Sequence, residues 1–340
     1  MNKRKIVQAS TAAILLAVLL LLPLFISQVY ILHVLIVMGI NIVLASSLRF
    51  IATIGQFSLA HAGMVSIGAY TSALLVTKLG FSFWVSLPLA GLTAMITAFL
   101  VGYPFVRLKG IYFTMVTLFL TEFISLLATE WRGLTAGVQG IISIPPPNAI
   151  IIPGLLNLTF TSKVDFYYLA LVMVGFTLLS LYAIESSRTG ITFSSIQQSE
   201  PLAESIGVNS SGFRVFAFSL GCFFAGIAGA FYSHYFSAIA PGSFGFLLSI
   251  NVFIYMVVGG MRNFFGPVVG AVILTLILEI AGEVKEYEPL VFAGILLLVI
   301  FFLRDGLVSL PGLFMKRRAS GQDEQPKGRD GEEQSLIRSR

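Results

Sequence analysis

Apolar runs of about twenty residues recur along the chain, and no other feature limits its possible folds as severely. An α-helix rises about 1.5 Å per residue, so each run can cross the roughly 30 Å hydrocarbon core of a bilayer. Ten such runs are read, at residues 8–27, 31–48, 56–77, 83–106, 110–129, 167–185, 214–237, 246–261, 264–282 and 289–303. Only 11% of the 340 residues are charged, against roughly a quarter in a soluble domain, which leaves too few polar side chains to cover a water-facing surface. The expected fold is an all-α integral membrane protein of about ten transmembrane helices.

The basic residues test this span count. With the amino terminus inside, seventeen of the twenty-one Lys and Arg residues fall on the inner side and only Lys78, Arg132, Lys163 and Lys285 on the outer. Basic residues concentrate in cytoplasmic loops, and adding or removing one span would scramble this division, so both termini are expected in the cytoplasm. The net charge of +5 is thereby read as topology, and no nucleic-acid partner is expected. The run after MNKRK resembles the start of a signal peptide, but no small-x-small site follows near Phe25, so cleavage is not expected. The reading is one membrane domain over 1–310, with an external loop at 130–166, an internal polar loop at 186–214 and a tail at 311–340. The mixed charge and scarce apolar residues of the tail predict disorder.

Missing chemistry removes several function classes. There is no G-x-x-x-x-G-K-[ST] phosphate loop, so the chain is not expected to hydrolyse nucleotide itself. His33, His61 and His234 sit in separate spans without acidic neighbours at ligand spacing, and Cys222 is the single cysteine, so neither a metal site nor a disulfide is expected. An ion-coupled carrier needs ionisable groups deep in the membrane, and the candidates are Glu122 and Glu279.

The spans carry close-packing devices. Gly221, Ala225 and Gly229 recur every four residues, and Gly266 and Gly270 repeat the spacing, which lets helix backbones approach closely. The third span, GQFSLAHAGMVSIGAYTSALL, reads as one helix with Ser58, His61, Val65, Gly68 and Ser72 on a single face. Such a polar face needs a protein partner or water, since lipid satisfies no donors. Interhelical hydrogen bonding and the lining of a path both fit Gln56, Ser58, His61 and Tyr70. The internal loop has the residues for a short helix: Ser199 to cap it, Pro201 in its first turn and Gly207 at its left-handed end.

Four segments carry a family resemblance. GQFSLAHAGMVSIGAYTSALL resembles the G-Q-x-S-L-x-H-A segment of permease subunits of branched-chain amino-acid ABC importers of the LivM and LivH type. VRLKGIYFTMVTLFLTEFI, SIGVNSSGFRVFAFSLGCFFAGIAGAFY and GGMRNFFGPVVGAVIL are similar to further motifs of the same family, in the same order. The resemblance covers roughly residues 35–310 and implies an inverted-repeat bundle in a prokaryotic inner membrane. It also implies a second homologous permease, cytoplasmic ABC ATPase subunits that bind the ATP, and an external solute-binding protein. It gives the internal loop the task of seating in the ATPase, with Glu200, Ala203, Glu204 and Gly207 at that contact. Two departures stand out. Residues 195–200 read S-I-Q-Q-S-E where the family commonly has A-I-R-x-N-E, the neutral Gln197 and Gln198 standing for an arginine and an acidic residue, and Gln139 lies where it has Asp or Asn in the external loop. Urea or amides, sugars and nucleosides stay open as substrates of the same class, and a non-transporting scaffold is a further alternative.

Overall fold

The structure, a computed structural model, describes residues 18–23, 28–152 and 156–280, together with positions 294 and 297. Backbone amides and carbonyls find no partners in hydrocarbon, so long apolar runs close their hydrogen bonds internally as helices. Helices α1 (Val29–Ala52), α2 (His61–Thr77), α3 (Phe83–Phe105), α4 (Ile111–Glu130) and α5 (Lys163–Glu185) precede two short ones, α6 (Arg188–Gln198) and α7 (Glu200–Ser205). Then follow α8 (Ser210–Phe236), α9 (Phe246–Gly259) and α10 (Gly266–Ile280). Among the described residues, α1, α3, α4, α5, α8 and the run Pro241–Gly259 are long and apolar enough to cross a membrane. Strand among those residues is confined to two short antiparallel pairs, so the architecture is all-α. The spans expected at 8–27 and 289–303 and the tail at 311–340 lie outside the described residues, apart from 18–23, 294 and 297.

Helix α8 sits at the centre and packs most extensively on α2 and α3. Its small residues permit this. A Cβ added to Gly68 of α2 would fall 2.1 Å from the Gly226 carbonyl oxygen, and one on Gly229 would fall 2.1 Å from the Val65 carbonyl oxygen. On another face Gly221 meets the side chain of Ile51 and the carbonyl of Ser47 on α1, and Ala225 is fully buried. Helices in lipid gain little by hiding apolar surface from one another, so close contact over small residues supplies the attraction. The α9–α10 hairpin uses the same device, since a Cβ on Gly270 would lie 2.0 Å from the Tyr255 carbonyl oxygen and Gly266 abuts Gly260.

The third apolar run departs from the continuous helix its sequence suggested. Helix α2 begins only at His61, and residues 56–60 are irregular, so Gln56 and Ser58 do not share a helical face with His61. Hydroxyl groups compensate for the missing helical hydrogen bonds. Thr114 of α4 donates to the Phe57 carbonyl at 2.8 Å, and Thr121 and Ser249 each donate to the Leu59 carbonyl at 2.7 Å. The Leu59 amide donates to the Thr117 hydroxyl at 3.1 Å, and Ser58 Oγ accepts from the Ala60 amide at 3.1 Å. Irregular backbone at membrane depth survives where protein supplies its partners. Periodicity cannot reveal those partners because they lie on α4 and α9.

A strap follows α4. Ile141–Ile142 pair antiparallel with Ala238–Ile239 just beyond α8, and the Ile144 amide donates to the Ser237 carbonyl at 3.0 Å. Asn148 then pins the strap to the start of α3, accepting the Phe83 amide on its side chain and the Trp84 indole N–H on its carbonyl, each at 3.0 Å. The prolines at 145–147 suit this extended path because they offer no backbone donors.

Candidate functional site

The polar segment between α5 and α8 folds as two short helices. Ser187 caps α6 by accepting from the Thr189 amide at 3.2 Å, and Phe193 and Ile196 turn into the bundle, Phe193 meeting Phe50 edge to face at 5.5 Å. Ser199 occupies the cap position of α7 in extended conformation without a side-chain cap bond, and Pro201 lies in the first turn. Helix α7 ends in a left-handed residue, Gly207, at φ 87°, with the Gly207 amide on the Glu204 carbonyl and the Val208 amide on the Ala203 carbonyl. Only glycine takes that conformation without strain, so the exit from α7 is fixed by sequence.

Burial re-sorts the residues expected at a partner contact. Ala203 is 2% exposed and faces inward, whereas Leu202 and Ile206 are 67% and 75% exposed, with Glu204 beside them. Glu200 is engaged internally. One carboxylate oxygen lies 2.8 Å from Arg214 Nη1 at the start of α8 and the other 2.7 Å from Lys109 Nζ in the α3–α4 connection. Glu200 is thus half-buried and paired within the chain, and the helical period that turns Leu202 and Ile206 outward turns Ala203 in. Burial pushes the Glu200 carboxyl up, but the hydrogen bond from Lys109 and the Arg214 charge outweigh it and hold the group below its ordinary value. With a lowered folded-state value, its stabilising contribution is present above the ordinary carboxylate range and is lost as pH falls through the lowered one.

The four residues expected on a path sit inside the bundle. Gln56, Ser58, His61 and Tyr70 are all buried. Ser47 Oγ lies 3.0 Å from His61 Nε2, while His61 Nδ1, both amide atoms of Gln56, the Tyr70 hydroxyl and the Ser66 hydroxyl have no partner among the described residues. Buried polar groups are normally paired, so several orphans along one helix and its lead-in mark a polar seam through an apolar bundle. A second ion pair was not read from the sequence. Arg49 Nη1 lies 2.6 Å from Glu185 Oε1, its Nε donates to the Met261 carbonyl at 3.0 Å, and its guanidinium stands over the Phe264 ring. A cavity of about 330 Å³ opens beside this pair, lined also by Phe57, Ser194 and Gln197. Glu185 directly precedes the polar segment, but its partner lies 136 residues away and no local pattern joins them.

The isolated acids have structural neighbours. Glu122 accepts the Phe246 amide at 3.0 Å at the start of α9, and Glu279 accepts a hydrogen bond from the Tyr30 hydroxyl. Among the described residues no group of His, Cys, Asp and Glu could hold a metal ion.

A bundle with six helices long and apolar enough to cross a bilayer among its described residues, and many exposed apolar side chains along them, is that of a multi-span membrane protein. Residues 30–303 match the family described as "Branched-chain amino acid transport system / permease component", and the chain belongs to that family. It is 29% identical over 307 residues to the high-affinity branched-chain amino acid transport system permease protein LivM of Escherichia coli (strain K12), an alignment covering 85% of this chain and 71% of that one. It is 30% identical to LivM of Salmonella typhimurium over 307 residues, 85% of this chain and 70% of that one. With BraD of Pseudomonas aeruginosa it shares 25% identity over 279 residues, 76% of this chain and 87% of that one. No solved structure matches the chain.

Proposed function

We propose that the chain is the membrane-spanning permease subunit of an ATP-driven importer that carries branched-chain or other amino acids delivered by an external solute-binding protein. It works beside a second homologous permease and takes its energy from cytoplasmic ABC ATPase subunits, which bind the ATP. The chain itself contributes no catalysis and needs no cofactor. Both termini lie on the cytoplasmic side of a prokaryotic inner membrane, as the basic-residue division favours. The observation that carries this reading is the pair of exposed apolar side chains, Leu202 and Ile206, on and just beyond a short helix that Ala203 and Glu200 tie to the bundle. Such a helix suits a socket in a motor subunit, and its displacement moves the attached helices as rigid bodies. Gln56, Ser58, His61 and Tyr70 line the translocation path, where a weakly polar seam suffices because selectivity resides in the binding protein.

Uptake by proteoliposomes containing the assembled complex tests the reading. With labelled leucine and the binding protein supplied, ATP depletion is expected to abolish uptake, while Glu122→Gln retains at least about half of it, since an amide oxygen still accepts the Phe246 amide. The ion-coupled alternative expects the reverse: uptake that survives ATP depletion and is lost in Glu122→Gln or Glu279→Gln. Uptake of urea or a sugar in place of leucine would keep the transport class and replace the substrate.

A further inference from the structure

We propose that Glu200 is a positioning residue that divides the motion of α7 between two routes into the bundle, through Arg214 to α8 and through Lys109 to α4 and the unwound run at 56–60. This rests on the coupling role proposed for α7. The two carboxylate oxygens serve different elements, so a displacement of α7 acts on both together. The side chains of Glu200 and Arg214 are 14% and 10% exposed, and water screens their pair little. Lys109, at 68% exposed, makes the weaker arm.

Each arm leads to the polar seam by contacts already described. Along the first, α8 meets α2 backbone to backbone where Gly226 faces Gly68 and Gly229 faces Val65. No flexible side chain lies between the helices there to absorb a shift, so movement of α8 carries α2, and with it His61 and Tyr70. Along the second, Lys109 is followed by Gly110 at φ 57° and then by α4. That helix presents Thr114, Thr117 and Thr121, whose hydroxyls hold the backbone of Phe57 and Leu59. Displacing α4 therefore acts on the segment carrying Gln56 and Ser58. A carboxylate serves here better than an amide because one group must bind two cations at once. The sequence shows the three charges but not their meeting, since 91 residues separate Lys109 from Glu200.

The test measures leucine uptake and ATP hydrolysis together, in proteoliposomes holding the assembled complex, for wild type, Glu200→Gln, Lys109→Met and the double variant. Crosslinking from Leu202→Cys, with Cys222 replaced, reports ATPase docking in each background. Glu200→Gln is expected to leave crosslinking and hydrolysis near wild type and to lower uptake per ATP by roughly fivefold or more. Lys109→Met is expected to lower the ratio by roughly twofold, and the double variant to match Glu200→Gln because both act through one node. An unchanged ratio in Glu200→Gln, or an uptake loss that follows lost crosslinking, overturns the proposal. Should Glu200→Gln fail to assemble, Lys109→Met leaves the buried pair with Arg214 intact, and an unchanged ratio there overturns the α4 route. Failure of the underlying coupling role looks different: wild type itself would then show neither crosslinking nor ATP-dependent uptake.

Discussion

Gly229→Val is expected to abolish the folded permease. The position is a backbone contact, where even a methyl group would fall 2.1 Å from the Val65 carbonyl oxygen and 3.0 Å from the Ala69 amide nitrogen. Neither atom belongs to a side chain that can rotate away, so α8 and α2 must separate. Overpacking a close-fitted core typically costs about 1–3 kcal/mol, and a β-branched residue pressed against helix backbone belongs at or above the top of that range. A loss of this size is a large fraction of a typical domain's total stability of about 5–15 kcal/mol. Fluorescence-detected size exclusion of the solubilised protein should show the monodisperse peak lost in Gly229→Val. At Gly175, where an added Cβ meets nothing within 4 Å among the described residues, the same substitution should leave the peak intact.

The paired substitution Leu202→Asp with Ile206→Asp is expected to eliminate transport while sparing the fold. Both side chains point away from the bundle, so neither change disturbs core packing. If they enter an apolar socket, each aspartate must be buried without a partner or keep the surfaces apart. Loss of a central apolar anchor costs at least about 2 kcal/mol at many interfaces, roughly a 30-fold weakening. Two adjacent losses should reduce uptake to background and release the ATPase during purification. The same pair of changes on a solvated connection with no partner would leave uptake intact.

The contrast between these predictions follows the line between what the sequence disclosed and what it concealed. Helix positions, the small-residue stripe of α8 and the turn at Gly207 were legible because each depends on residues close together in the chain. The start of α2 was not. Gln56 to Ala60 has the composition of a helical lead-in, and only the hydroxyls of Thr114, Thr117, Thr121 and Ser249 make its unwound course stable. The intrachain pairing of Glu200 was hidden for a related reason. A motif shows that an acid is present at the head of a short helix, but the two cations that turn it inward come from the α3–α4 connection and from α8. Arg49 and Glu185 were overlooked because each reads as an ordinary helix-end charge until the fold brings them together. The motifs draw attention to the polar segment between α5 and α8, while the orientation of its side chains required coordinates.

Crosslinking shows whether α7 seats in an ATP-hydrolysing partner. Cysteines at Leu202 or Ala203, each in a chain from which buried Cys222 has been removed, are treated with a short bifunctional thiol reagent in the assembled complex. An ATP-sensitive crosslink to the ATPase subunit is expected from Leu202→Cys and little or none from Ala203→Cys, which faces the bundle. Crosslinking from Ala203→Cys but not from Leu202→Cys, or from neither in a complex that still imports, would contradict that seating.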